Sequence, residues 1–201
     1  MRDALRVLAM VGVLMGTGCA SQQSVRWSPD AVTPTSYQRT LKQWTRAAVA
    51  YDTIESRFFV TATCLSPKFN AAYIQERTRV GGLSGDEITL LTKERARQED
   101  EGITFFVAVA AQNPRWNDLD HPRPSLGVRL FIDEGGPAIK PKRITRMSED
   151  QLADFRPYFR YADRLRTGYL IVFPPQARMD QLRLRIGGAP GMVQLRWLTA
   201  K

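Results

Sequence analysis

Hydrophobic and polar residues alternate with a period of two along most apolar stretches of the chain. From Arg57 to Leu65, the side chains of Phe58, Val60, Ala62 and Cys64 fall on one face, with Arg57, Thr61 and Thr63 opposite, as in a half-buried strand. The same alternation sets Leu126, Val128, Leu130 and Ile132 against Gly127, Arg129 and Phe131. It recurs late in the chain, where Leu182, Leu184 and Ile186 alternate with Arg183 and Arg185, and Val193, Leu195 and Trp197 with Gln194 and Arg196. Ile103 to Ala111 is apolar at almost every position, which suits a central strand covered on both faces, and Tyr169 to Phe173 is a second mostly apolar run. Ala138 to Arg146 contains Pro141, which cannot donate to a ladder, so a strand there belongs at a sheet edge. Thr40 to Tyr51 admits two readings: Leu41, Trp44, Ala48 and Val49 fit a helical stripe, yet the segment can also pair with the strand at Arg57 across the turn Asp52 to Glu55. The strand is the preferred reading.

Helices are expected as insertions. Pro67 suits a helix start, with Phe69, Ala72 and Tyr73 following at helical spacing. Ser84 is placed to cap Asp86 to Arg97, whose acids come early and whose Lys93, Arg95 and Arg97 come late, as the helix dipole favours. Ser148 and Gln151 form a capping-box pattern ahead of Leu152, Phe155 and Phe159, with Pro157 as the break. Turns at Gly81-Gly82, Gly135-Gly136-Pro137, Pro174-Pro175 and Gly187-Gly188 punctuate the rest. The fold class expected is mainly β, a two-sheet antiparallel β-sandwich of about eight strands with two or three short helices inserted.

The length of 201 residues and an apolar content of 43% fit one domain with a proper core, placed at residues 38–201. The two cysteines, Cys19 and Cys64, differ in setting, and the alternation around Cys64 turns its thiol into the core. The net charge of +9 favours contact with anionic surfaces such as phospholipid, wall polymer or nucleic acid. That charge is concentrated late, because Ala138 to Lys201 holds 13 Lys or Arg against five Asp or Glu.

Arg2 and Arg6 precede the apolar run Val7 to Met15, and Gly16, Thr17 and Gly18 follow it, which is the order of a secretory signal. The run is well short of the roughly 20 residues that cross a bilayer as a helix. Gly16-Thr17-Gly18-Cys19 resembles a bacterial lipobox, with Gly16 where a leucine is usual. The resemblance implies cleavage after residue 18, acylation of Cys19 and anchoring in a membrane; Ala20 rather than an aspartate after the cysteine implies the outer membrane, facing the periplasm. Each buried methylene adds about 0.8 kcal/mol, so two or three acyl chains give lasting attachment. Residues 1–18 are thus expected as a signal peptide and 19–37 as the lipidated cysteine with a Ser/Gln/Thr/Pro-rich tether, reaching roughly 20 to 25 Å.

Catalytic patterns are scarce. The single histidine, His121, lies in a Pro-rich loop away from Cys64, and no G-x-S-x-G, P-loop, G-x-G-x-x-G or C-x-x-C is present. Within Arg115 to Pro122, Asp118, Asp120 and His121 offer oxygen and nitrogen ligands, and Trp116 offers a flat face for a sugar ring or a partner side chain. Turn-forming Asn, Asp and Pro explain the same loop as a connector with Trp116 capping the sandwich. A second candidate surface is the set Arg183, Arg185 and Arg196, which become neighbours if the last two strands form a hairpin. The reading that results is a non-enzymatic envelope lipoprotein, a binding or assembly module that contacts an envelope protein or anionic polymer through a loop end or this basic face. No cofactor, metal or nucleic acid is expected. The competing reading is a metal-assisted hydrolase using the Asp118/Asp120/His121 loop.

Overall fold

The computed structural model describes residues 35–176 and 181–198. The signal, the lipobox with Cys19 and nearly all of the tether lie outside the described residues.

The described residues form eight strands in two antiparallel sheets, with four α-helices. Helix α1 (Ser36–Trp44) leads into β1 (Thr45–Asp52) and β2 (Glu55–Cys64); α2 (Pro67–Gly81) and α3 (Gly85–Glu101) then precede β3 (Ile103–Ala111). After a long loop come β4 (Leu126–Ile132), β5 (Arg143–Arg146), α4 (Glu149–Phe155), β6 (Thr167–Phe173), β7 (Gln181–Gly188) and β8 (Gly191–Leu198). One sheet runs in the order β1-β2-β3-β6-β5 and the other β4-β7-β8. The strand expected over Ala138 to Arg146 is shorter than that: Pro141 lies outside it, Ile139 makes only an isolated bridge to Leu130, and β5 sits at the edge of the larger sheet.

Period-two alternation decides what lies between the sheets. Phe58 and Val60 of β2, Phe105 and Val107 of β3 and Ile171 of β6 belong to one buried cluster with Val128, Leu184, Leu195 and Trp197 of the smaller sheet. Phe105 and Trp197 meet across the interface with ring centroids 5.1 Å apart. The sheets are fastened at one edge by two hydrogen bonds: Trp197 Nε1 donates to the Trp44 carbonyl at 2.7 Å, and Arg46 Nε to the Arg196 carbonyl at 2.8 Å.

The opposite face of the five-stranded sheet is covered as well, which the alternation in β2 does not announce. Phe106 points outward from β3 onto Phe155 and Phe159, at 5.2 and 4.8 Å between centroids. Thr63 is buried there, its hydroxyl 2.7 Å from Thr45 Oγ1 and 2.6 Å from Tyr161 Oη. Gly168 is what admits α4, since a Cβ at that position would collide with Leu152 Cδ2.

Three elements depart from the expected pattern. Thr40 to Tyr51 is not one strand: helix α1 runs to Trp44 and the strand starts at Thr45. A capping box supplies the reason, with Thr35 Oγ1 accepting from the Gln38 amide and Gln38 Oε1 from the Thr35 amide. Residue 37, expected as the end of the tether, belongs to the folded body, because Tyr37 is buried and its hydroxyl donates to the Tyr158 carbonyl at 3.1 Å. Helix α3 continues to Glu101, so its last turn carries no basic residue, and Arg95 is buried over the Tyr73 ring at 4.8 Å from the centroid.

Candidate functional site

The loop between β3 and β4 is built as a folded connector. Asn113 caps a short 3-10 turn, Pro114–Trp116, by accepting from the Arg115 amide at 3.0 Å. Asp118 Oδ2 accepts from the Ser125 amide and hydroxyl at 2.8 and 2.9 Å, and the His121 amide donates to the Asp118 carbonyl at 2.9 Å. Leu119 is buried, while Asp120 and His121 stay exposed. Among the described residues, no three His, Cys, Asp or Glu side chains gather as a metal-ligand set, so the structure does not bring Asp118, Asp120 and His121 together in that way. Trp116 is half-buried against the core and borders a recess of about 540 Å³ that also takes in Tyr51, Arg57 and Pro190. Because it packs as well as lines, Trp116→Ala is expected to cost about 1–2 kcal/mol in urea unfolding, below the range of a fully buried tryptophan.

Cys64 sits in the core, and burial pushes its thiol up to about 12 from an ordinary 9.0. Burial likewise raises the Tyr169 hydroxyl to about 12, with Arg146 opposing the rise and Asp120 adding to it. Tyr37 and Tyr161 are raised by burial too. These groups hold their protons more tightly folded than unfolded, so the stability they contribute is complete below the unfolded values of 9.0 and 10.0. It is lost as pH rises towards about 12. Urea midpoints should therefore be level near about pH 8 and fall steeply at higher pH, and Cys64 should resist alkylation until the chain unfolds.

The arginines come together as their alternation suggests. Strands β7 and β8 pair with Arg183 opposite Arg196 and Arg185 opposite Gln194. Strand β4 adds Arg129 opposite Arg185 and Phe131 opposite Arg183. The outer face of the small sheet thus carries four arginines, two of which flank one aromatic ring, with the guanidinium carbons of Arg183 and Arg185 at 5.7 and 4.7 Å from the Phe131 centroid. Arg183 also donates to the Asp133 carbonyl, and Arg129 Nη1 to the Val128 carbonyl at 2.7 Å. With its amide oxygen turned towards Arg196, Gln194 accepts from Nε and Nη2, both at 2.9 Å. Among the described residues none of these four arginines forms a salt bridge; the pairs found involve other arginines. Glu134 borders a recess with Arg183 and Arg196 without pairing to either.

Arg129 and Phe131 are the members that the sequence-based candidate set lacks. Both show as outward positions in their own strand, but their neighbours lie more than fifty residues downstream, and only the β4-β7 pairing joins them. By its fold the protein is a helix-covered, two-sheet antiparallel β-sandwich, and its smaller sheet presents a basic outer face. It matches no protein-family profile, no curated protein and no solved structure. Among the described residues no helix is long and apolar enough to cross a membrane.

Proposed function

We propose that this is a non-enzymatic lipoprotein of the bacterial cell envelope, held by acyl chains on Cys19 at the periplasmic side of the outer membrane. Its sandwich serves as a binding or assembly module that engages an anionic envelope component through the arginine face. The observation that carries this reading is the clustering of Arg129, Arg183, Arg185 and Arg196 without carboxylate partners among the described residues. A face of balanced charge would neutralise itself, whereas four arginines with Glu134, unpaired among the described residues, at their border leave a net positive surface that attracts one of the other sign. The lipobox-like Gly16-Thr17-Gly18-Cys19 supports the anchor, and the recess between Tyr51 and Trp116 offers a second contact at the loop end.

Two measurements test the reading. Intact mass of the protein from membranes of its native host should show a chain beginning at Cys19 with diacylglyceryl and acyl additions; an unmodified amino terminus would overturn the anchor. The unlipidated chain should cosediment with isolated envelope membranes at low salt and be released by about 0.5 M salt, where screening is nearly complete beyond a few ångströms. Binding that ignores salt, or no binding, would overturn the basic-face reading.

A further inference from the structure

The basic face is not uniform. Next to the Arg129 and Arg185 pair, on the same outward side, stands the pair Gly127 and Gly187, and Met192 lies opposite Gly187 on the third strand. The result is a trough of about 400 Å³ with a glycine floor, bordered by Arg129, whose Nη1 lies 4.0 Å from where a Gly127 Cβ would stand, by Arg185, whose guanidinium rests on Phe131, and by the exposed Met192.

The glycines of this floor have different reasons to be there. A Cβ on Gly187 would lie 2.9 Å from Met192 Cβ, and one on Gly188 would collide with the Ser125 carbonyl oxygen, so packing itself demands glycine at both. Gly127 is under no such demand. A Cβ there would meet its nearest atoms, the Gly187 carbonyl oxygen and Arg129 Nη1, at 3.7 and 4.0 Å, which is ordinary contact, and its φ is not positive. Glycine inside a strand is destabilising relative to alanine, so its presence here has a cost that packing does not explain. What a side chain at residue 127 would do is occupy the trough.

We infer that this trough is a binding site for the phosphodiester headgroup of an anionic glycerophospholipid. The phosphate would lie against the guanidinium of Arg129, and Arg185 would join it by turning from the Phe131 ring; the planar fork of each matches its oxygens. The alcohol that esterifies it would rest on the glycine floor, and Met192 would face the first acyl-chain carbons of the lipid. This deepens the proposed function and rests on it: the face supplies general attraction, and the trough supplies recognition of one headgroup within the surface.

The test uses the unlipidated chain and its Gly127→Val variant in flotation with vesicles of phosphatidylcholine, alone or with about one third phosphatidylglycerol. Valine keeps every charge and favours the strand, so the variant is expected to fold, which its circular dichroism and melting point check. The wild type should bind the anionic vesicles at least about tenfold more tightly than Gly127→Val, and the variant should keep a weaker, salt-sensitive binding. Equal binding of the two would overturn the trough and leave the basic face standing. Absence of binding by either would overturn both. Complete displacement of the wild type by micromolar glycerol 3-phosphate would assign the site to a soluble phosphate ester and overturn the lipid assignment.

Discussion

Replacing Arg129, Arg183, Arg185 and Arg196 together by glutamine is expected to weaken binding to anionic vesicles by about three orders of magnitude. Each basic residue near an anionic surface contributes about 1 kcal/mol, so four contribute about 4 kcal/mol, or roughly a thousandfold in affinity. The four lie on one outward face of adjacent strands, so all can approach the same plane. Arg143→Gln is the single-charge control: Arg143 belongs to the other sheet and pairs with Glu101 at 2.7 Å. It should change affinity by less than about threefold, since a paired exposed charge adds little. An equal free-energy loss per charge removed in both variants would mean that total charge, rather than this face, governs the interaction.

Trp197→Ala is expected to have the largest effect on stability, about 3–5 kcal/mol in urea unfolding. Trp197 is fully buried, packs on Phe105 and donates from Nε1 to the Trp44 carbonyl. Its loss opens a cavity between the sheets and strands the carbonyl at the end of α1. Trp197→Phe separates the contributions, because it keeps most of the packing and removes the donor. A cost of about 1–2 kcal/mol is expected for it, in line with a buried acceptor left unpaired. A loss below about 1 kcal/mol for the alanine variant would show that the two sheets do not depend on this contact.

Strands are legible in the residues where each has one dry side or two. Ile103–Ala111 and Leu126–Ile132 coincide with the apolar patterns that mark them, whereas the strand expected across Pro141 begins only at Arg143, beyond the proline. Where the pattern misleads, a local bond overrides it: the Thr35–Gln38 box turns the start of the folded body into a helix although its residues also suit a strand. The helical layer over the larger sheet is hidden for a different reason. Thr61 and Thr63 look like solvent-facing residues, but Arg166 and Tyr161 hydrogen-bond them from a segment about a hundred residues away. Of the candidate sites, the arginines of the last two strands are legible as outward positions, whereas Arg129 joins them only through a strand pairing that is not written locally. The Asp118/Asp120/His121 loop carries the right residue types for a metal, yet Asp118 is engaged by Ser125 in closing the loop.

The most direct measurement is flotation of the unlipidated chain over vesicles whose anionic fraction is raised in steps from zero. Attraction through the arginine face requires that the bound fraction climb with anionic content and collapse on adding salt. A bound fraction that stays constant across the series would contradict it.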